Sequence, residues 1–340
     1  MACRKSNDRC RITHGGGHGG LLACLRGRSL NGDAKDRTRA DQRRIRALLS
    51  GAGDGVSTQI GVNAWVWASP CDDKTVSELA PQVAQWGFDV LELPLEQPGD
   101  WDPAQTAIVL GDLGLGATVC VAMSPGRELV SADAATVRAT QDYLRGTLDA
   151  AAQIGAPVVA GPAYTSVGRT WRMSDAERAA AYAQFRENMA AVVEHASDVG
   201  VRIGVEPLNR YETSLLNTVD QTLEALDGLP AEHIGLALDT YHLNIEERDP
   251  AAATRRAAGR IMHVQVCAND RGTPGADHLD WPAFLSALDA AGYAGPLVIE
   301  SFTAENESIA TAASIWRPLA RTQDALATDG LAFLRGITDA

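Results

Sequence analysis

Residues 201–247 read VRIGVEPLNRYETSLLNTVDQTLEALDGLPAEHIGLALDTYHLNIEE. The apolar run Arg202–Val205 closes on Glu206, a polar loop follows, Val219–Gly228 carries apolar residues at helical spacing, and a second apolar run, Gly235–Leu238, closes on Asp239. This is the pattern of a strand, a crossover helix and a second strand. Both strands end on a carboxylate.

The same alternation extends in both directions. Apolar runs at Ile60–Trp65, Val90–Leu93, Ala117–Ala122, Pro157–Ala160, Met262–Val266 and Leu297–Ile299 bring the predicted strands to eight. Between them lie helical patterns at Val76–Trp86, Pro103–Leu113, Ala132–Ile154, Asp175–Val199, Pro250–Arg260 and Trp281–Ala291, several starting after Ser, Asp or Pro and stopping at Gly. A single alternating series of eight, with no Gly-rich dinucleotide or phosphate fingerprint after an early strand, predicts an α/β chain closed as a (β/α)8 TIM barrel rather than an open doubly wound sheet. The segment from Glu307 onward is expected to be a C-terminal helical extension. With 340 residues, 45% of them hydrophobic, the chain has ample material for one such domain, which usually takes about 250 residues.

Charge divides the chain. Residues 1–55 hold 12 Lys and Arg against 5 Asp, a net +7, so the overall −13 leaves −20 on the rest. We read 1–55 as a disordered basic N-terminal extension, upstream of a start near Val56, and 56–340 as the barrel. Its one apolar patch, Leu21–Leu25, is too short for a signal peptide or a membrane span, and the spacing of Cys3, Cys10, Cys24, His14 and His18 fits no zinc finger or ribbon. The acidity of the barrel excludes nucleic acid and anionic membranes as default partners and favours a small substrate. Cys71, Cys120 and Cys267 form no disulfide pattern, which points to reduced thiols in a cytoplasmic enzyme.

Four strand ends carry Glu206, Asp239, Gln265 and Glu300. In a parallel barrel the carboxyl ends of the strands converge on one open face, so these oxygens assemble a pocket suited to one hard divalent cation, carboxylate and carboxamide oxygens favouring Mg²⁺ and Mn²⁺. Each residue taken singly also reads as an ordinary strand end bonded to a loop amide.

VEPLNRYETSLLNT, LDTYHLNIEE, HVQVCANDRGTPG and VIESF resemble the successive strand-end motifs of the ketose 3-epimerases, the D-tagatose and D-psicose 3-epimerase group of the xylose-isomerase-like superfamily. IGVNAWVW, GFDVLELPL and SIATAASIWRPL extend the resemblance over about residues 58–320. It implies that Glu206, Asp239, Gln265 and Glu300 hold one Mn²⁺, Mg²⁺ or Co²⁺ ion. It also implies that Glu206 and Glu300 are the catalytic pair, one removing the C3 proton of a nonphosphorylated ketose and the other returning it on the opposite face of a metal-stabilised cis-enediolate. Glu212, His242 and Arg271 are then expected in the substrate shell. Their quiet readings are a loop acid paired with Arg210, a helix-start histidine and a surface cation on a turn. Trp67 is placed against the sugar's apolar face, with Trp65 and Trp171 as further candidates.

The sequence departs from that pattern at Gln265. The group usually has an HxH strand here, where this chain reads His263-Val264-Gln265. A carboxamide oxygen hardens the site relative to imidazole, and the resembling hydroxypyruvate isomerases place Gln here. His263 is expected behind the ligands. Ala268 replaces a common Glu, and His278 stands in an altered turn from which it could compensate. A hydroxypyruvate-type or aldose–ketose isomerase therefore stays open. So does a lyase acting on oxidised (3-keto) glycosides, including C-glycosides. A nuclease of the endonuclease-IV type needs more His ligands and a basic groove. A homodimer or homotetramer is expected from the resemblance.

Overall fold

A computed structural model describes residues 57–338. The expected basic extension at 1–55 lies outside these described residues. Eight strands, β1 (Ile60–Asn63), β2 (Val90–Leu95), β3 (Gly116–Val121), β4 (Val158–Gly161), β5 (Arg202–Val205), β6 (Ile234–Asp239), β7 (Ile261–Val266) and β8 (Leu297–Ile299), pair in sequence order, and β8 returns to β1. Every pairing is parallel, so all eight strand ends share one face, as the alternation predicts.

The helices are α1 (Asp73–Trp86), α2 (Pro103–Leu113), α3 (Ala134–Gln153), α4 (Asp175–Val199), α5 (Val219–Ala225), α6 (Thr240–Glu246), α7 (Pro250–Arg256), α8 (Trp281–Ala290), α9 (Glu307–Ala312) and α10 (Gln323–Thr338). Their starts are set by side chains that accept orphan backbone N–H groups: Asp72, Asp102, Asp133, Asp249 and Asp280, with full capping boxes at Ser174/Glu177 and Thr218/Gln221. The predicted C-terminal extension is α9 and α10. Arg335 of α10 donates to Thr58 O at 2.9 Å and to Asp89 Oδ2 at 2.6 Å, which docks the helix beside β1. No helix among the described residues is long and apolar enough to cross a membrane.

Two local features bear on the site. β1 stops at Asn63, whose side chain accepts from Trp65 N at 2.8 Å and starts a 3₁₀ turn over Ala64–Val66, where the sequence predicts strand through Trp65. Between β6 and β7 the register shifts at Leu236/Ala237, and a Cβ on Gly235 would stand 2.0 Å from Arg260 O, so only glycine fits there. Aliphatic residues such as Leu91, Leu93, Val264 and Val266 join the main apolar core. The alternate positions on β2 and β7, Glu92, His263 and Gln265, turn the other way and meet inside the barrel.

A buried carboxylate cluster at the mouth of the barrel

The strand-end series converges. Glu206, Asp239, Gln265 and Glu300 are all buried, and so are His242 and Arg271. Glu206 follows β5, its N–H donating to Gly161 O at 3.0 Å while its carbonyl accepts from Tyr164 Oη at 3.0 Å. Its backbone is thereby fixed against β4 and the loop beyond it.

Asp239 ends β6 and also caps α6, where its Oδ1 accepts from Tyr241 N at 2.8 Å. This short helix was not among the helical patterns read in the sequence, although the reading of His242 as a helix-start histidine agrees with it. Its first turn places His242 on the same face as Asp239. One ligand atom each from Glu206, Asp239 and His242 lies within 4.8 Å of the other two, a triad able to hold a metal ion. His242, expected in the substrate shell, stands directly beside the two carboxyls.

The His242 ring is fixed from two sides. Nδ1 accepts from Asn209 N at 2.9 Å, and Nε2 stands 2.9 Å from Arg271 Nη2, 3.4 Å from Glu206 Oε1 and 3.8 Å from Asp239 Oδ2. Nδ1 is taken up by the Asn209 N–H, so the proton of the neutral ring sits on Nε2, beside the Glu206 and Asp239 oxygens, and a second proton on Nδ1 would face a donor. Burial first, and the Arg271 charge second, push its pKa down to about 3. Asn209 also donates to Glu212 Oε1 at 2.7 Å, which ties Glu212 to the same group, while Arg210 pairs with Glu246 instead.

Arg271 is 5% exposed, so it is no surface cation. Its Nη1 donates to Asp239 Oδ2 and, at 2.7 Å, to Glu300 Oε2. The guanidinium lies over the rings of Tyr241 at 4.2 Å and Phe302 at 5.2 Å. Its backbone has φ 69, a left-handed value held by Ser301 Oγ donating to Arg271 O at 2.6 Å. Burial opposes the Arg271 charge, but Asp239 and Glu300 outweigh it.

One cation does not balance three carboxyls. Burial raises the Glu206 pKa well above the usual carboxylate range, and the charges of Glu300 and Asp239 raise it further. Glu300 is raised by burial foremost, with Asp239 and Glu92 adding to it and Arg271 opposing. Gln265 Nε2 donates to Glu92 Oε1 at 2.9 Å and to Glu300 Oε1 at 2.7 Å, while Gln265 Oε1 and Glu206 Oε1 are buried with no hydrogen-bond partner. Unpartnered buried oxygens beside excess negative charge fit a hard divalent cation.

The structure does not bring Trp67 to this group. Trp67 stacks on Trp86 at 5.6 Å and donates to Asp324 Oδ1 at 2.8 Å, packing between α1 and α10. Trp65 is nearer, 5.6 Å from Phe302, with its Nε1 donating to Glu96 at 2.9 Å. Trp171 packs under Arg169, and His278 lines a cavity of about 230 Å³ with Leu243, Trp281 and Phe284. Sequence reasoning missed Asn209 and Glu92. Glu92 is fully buried, accepting from Asn63 Nδ2, Gln265 Nε2 and Thr118 Oγ1, each at 2.9 Å. His263 Nε2 lies 2.6 Å from Glu92 Oε2. Burial works to raise the Glu92 pKa, but the adjoining His263 ring and the bonds from Gln265 and Thr118 hold it below the usual range. A lone acid within VLELPL was the available signal.

Residues 80–336 match the xylose isomerase-like TIM barrel family. The chain belongs to that family. It is 33% identical to a probable ketose 3-epimerase of Synechocystis sp. over 82% of its own length and 96% of the relative's. It is 31% identical to a ketose 3-epimerase of Arthrobacter globiformis over the same shares. A solved L-ribulose 3-epimerase superposes with TM-score 0.76 at 31% identity, covering 83% of this chain and 94% of that one. A Methylomonas sp. D-allulose 3-epimerase in complex with D-allulose gives TM-score 0.76 at 29% identity, with 83% and 98% covered. The family member described here is accordingly an isomerase-class enzyme.

Proposed function

We propose that this protein is a divalent-metal-dependent ketose 3-epimerase acting on nonphosphorylated ketoses. The observation that carries the proposal is the pair Glu206 and Glu300, two buried carboxyls with raised pKa values, entering from β5 and β8. These strands stand three apart round the eight-stranded barrel, so their carboxyls approach a substrate at the mouth from well-separated directions.

Inverting a carbon requires that arrangement. One carboxylate takes the C3 proton from one face, and the other carboxyl returns a proton to the opposite face. The two exchange roles when the reaction runs backward. Mutual repulsion between Glu206 and Glu300 favours the state in which one is charged and the other protonated, a base and an acid ready together. Neutral His242, with Arg271 beside it, can hydrogen-bond the reacting oxygens, and Glu212 stands behind Asn209 for a hydroxyl further along.

Glu206, Asp239, Gln265 and Glu300 would hold the cation, with His242 adjacent. When bound, a Mn²⁺ or Mg²⁺ ion polarises the ketose carbonyl and offsets the charge that develops on deprotonation. Support for a free sugar comes from Arg271, which is already engaged by Asp239 and Glu300 and is not available to a phosphate. The relatives' names, L-ribulose, D-psicose and D-allulose 3-epimerase, also speak for free ketoses.

Gln265 favours a second reading, a hydroxypyruvate-type or aldose–ketose isomerase built on the same carboxyls. Incubation of the Mn²⁺-loaded protein with a ketose panel in D2O, followed by NMR, separates the two. Deuterium at C3 with a new epimer is expected. Deuterium at C1 or C2 with an aldose appearing would replace the epimerase reading by the isomerase one. Glu206→Gln and Glu300→Gln should each abolish C3 exchange, and exchange persisting in both would remove the pair from the chemistry.

A further inference from the structure

Glu92 takes no part in the chemistry proposed above, yet it is a fully buried carboxylate at the centre of the barrel. Its register neighbours on β1 and β3 are Asn63 and Thr118, and both donate to it. It is therefore fixed by the scaffold before it meets Gln265 from the far side of the barrel.

A carboxylate only accepts hydrogen bonds, whereas a carboxamide has a donating and an accepting end. Glu92 Oε1 and Glu300 Oε1 both receive Gln265 Nε2, at 2.9 Å and 2.7 Å. Rotating the amide by half a turn would set its oxygen against two carboxylate oxygens. The bonded orientation is thus imposed, and it leaves Gln265 Oε1 buried and unpartnered. Glu300 cannot fix this orientation by itself, because its oxygens also serve Arg271 and the reacting end of the site. Glu92 takes no part in the proposed proton transfers, and the bonds it accepts from Asn63 and Thr118 hold it in place.

We propose that Glu92 is a positioning residue that holds the Gln265 carboxamide with its oxygen turned to the cation site. The proposal rests on the reading that these residues bind a divalent cation. It accounts for how this chain uses Gln in a strand that reads His263-Val264-Gln265: the acid behind the amide supplies the orientation that the amide lacks by itself.

The test is a Mn²⁺ titration by calorimetry on metal-stripped full-length protein, for the wild type, Glu92→Gln, Gln265→Leu and the double variant, with folding checked by circular dichroism. Glu92→Gln keeps the shape and introduces a donor, so the Gln265 amide loses its fixed direction. Mn²⁺ affinity should fall about 10- to 100-fold in Glu92→Gln. In the Gln265→Leu background the same change should cost less than about 2-fold, a non-additivity that a general loss of structure does not produce. If Glu92→Gln does not fold, Glu92→Asp keeps the charge beside His263 but shortens the reach to Gln265, and is read in the same way. Unchanged Mn²⁺ affinity in the folded variant, or an equal loss with and without Gln265, overturns the positioning role alone. A wild-type protein that binds no Mn²⁺ removes the cation reading and the proposal together.

Discussion

Glu206→Gln should make the metal-free protein more stable and the metal-loaded protein less stable than the wild type. The Glu206 carboxyl is buried, its Oε1 lacks a hydrogen-bond partner, and the charges of Glu300 and Asp239 act on it, with Arg271 offsetting only part. A buried polar group left unsatisfied costs about 1–3 kcal/mol, and more when it is charged, and Gln removes the charge at nearly constant volume. A gain of about 1–2 kcal/mol is expected in the chelated protein at pH 7.5, or roughly 2–8 °C in Tm for a domain of this size. The folded pKa of Glu206 lies above its ordinary value of 4.5, so its stabilising protonated form is complete below that pH and is lost as pH rises. The advantage of the variant should therefore shrink between pH 7.5 and pH 5. Mn²⁺ at about a hundred times its Kd adds about 2.7 kcal/mol to the wild type and little to the variant, which reverses the order. Urea unfolding followed by circular dichroism, with chelator or with Mn²⁺ at both pH values, reads all four conditions. A chelated wild type at least as stable as the variant at pH 7.5 would refute the account of an electrostatically frustrated site completed by a cation.

Three further outcomes are expected. His242 has a folded pKa of about 3 against 6.5 unfolded, so stability is present above pH 6.5 and lost as pH falls. Between pH 7 and pH 5 this ring costs the fold about 2 kcal/mol, a slope that metal-free His242→Gln should lack in parallel urea titrations. Gln265→His should raise reactivation by Co²⁺ and Zn²⁺ relative to Mg²⁺ after stripping, and unchanged metal preference would contradict the hard-ligand role of Gln265. Arg271→Lys replaces a guanidinium that bridges Asp239, Glu300 and His242 with a single ammonium. Its kcat/KM in a coupled epimerisation assay should drop about 10- to 100-fold, a factor that corresponds to about 1.4–2.7 kcal/mol.

The barrel and the four strand-end oxygens were legible because both follow from chain periodicity. Eight apolar runs separated by capped helices specify a closed parallel sheet, and whatever follows each run must stand at the shared face. Trp67 was misplaced for a local reason. Continuing IGVNAWVW as strand carries Trp67 toward the mouth, whereas the Asn63 side chain accepts Trp65 N, ends β1 two residues early and sends Trp67 to Asp324 of α10. The turn chemistry of a single Asn outweighed an apolar pattern. The helix carrying His242, α6, was not among the helical patterns because it spans only Thr240–Glu246, too short to stand out by periodicity. Asp239 starts that helix, pairs with Arg271 and supplies an oxygen to the triad, so one residue couples the loop geometry to the charge of the site.

Glu92 shows where strand-end reasoning stops. Inside a barrel strand the inward positions are ordinarily aliphatic, so an acid there is either a defect or one part of a buried network whose other members come from distant strands. Its partners Asn63, Thr118, His263 and Gln265 are separated from it by up to 173 residues in the chain, and only closure of the sheet brings them together. The network also changes the meaning of Gln265. Taken alone, a glutamine at a ligand position is a weaker and directionally ambiguous substitute for histidine. Held between Glu92 and Glu300, it presents one buried oxygen in one direction, so the departure from the HxH pattern and the acid in VLELPL are better understood as one feature than as two.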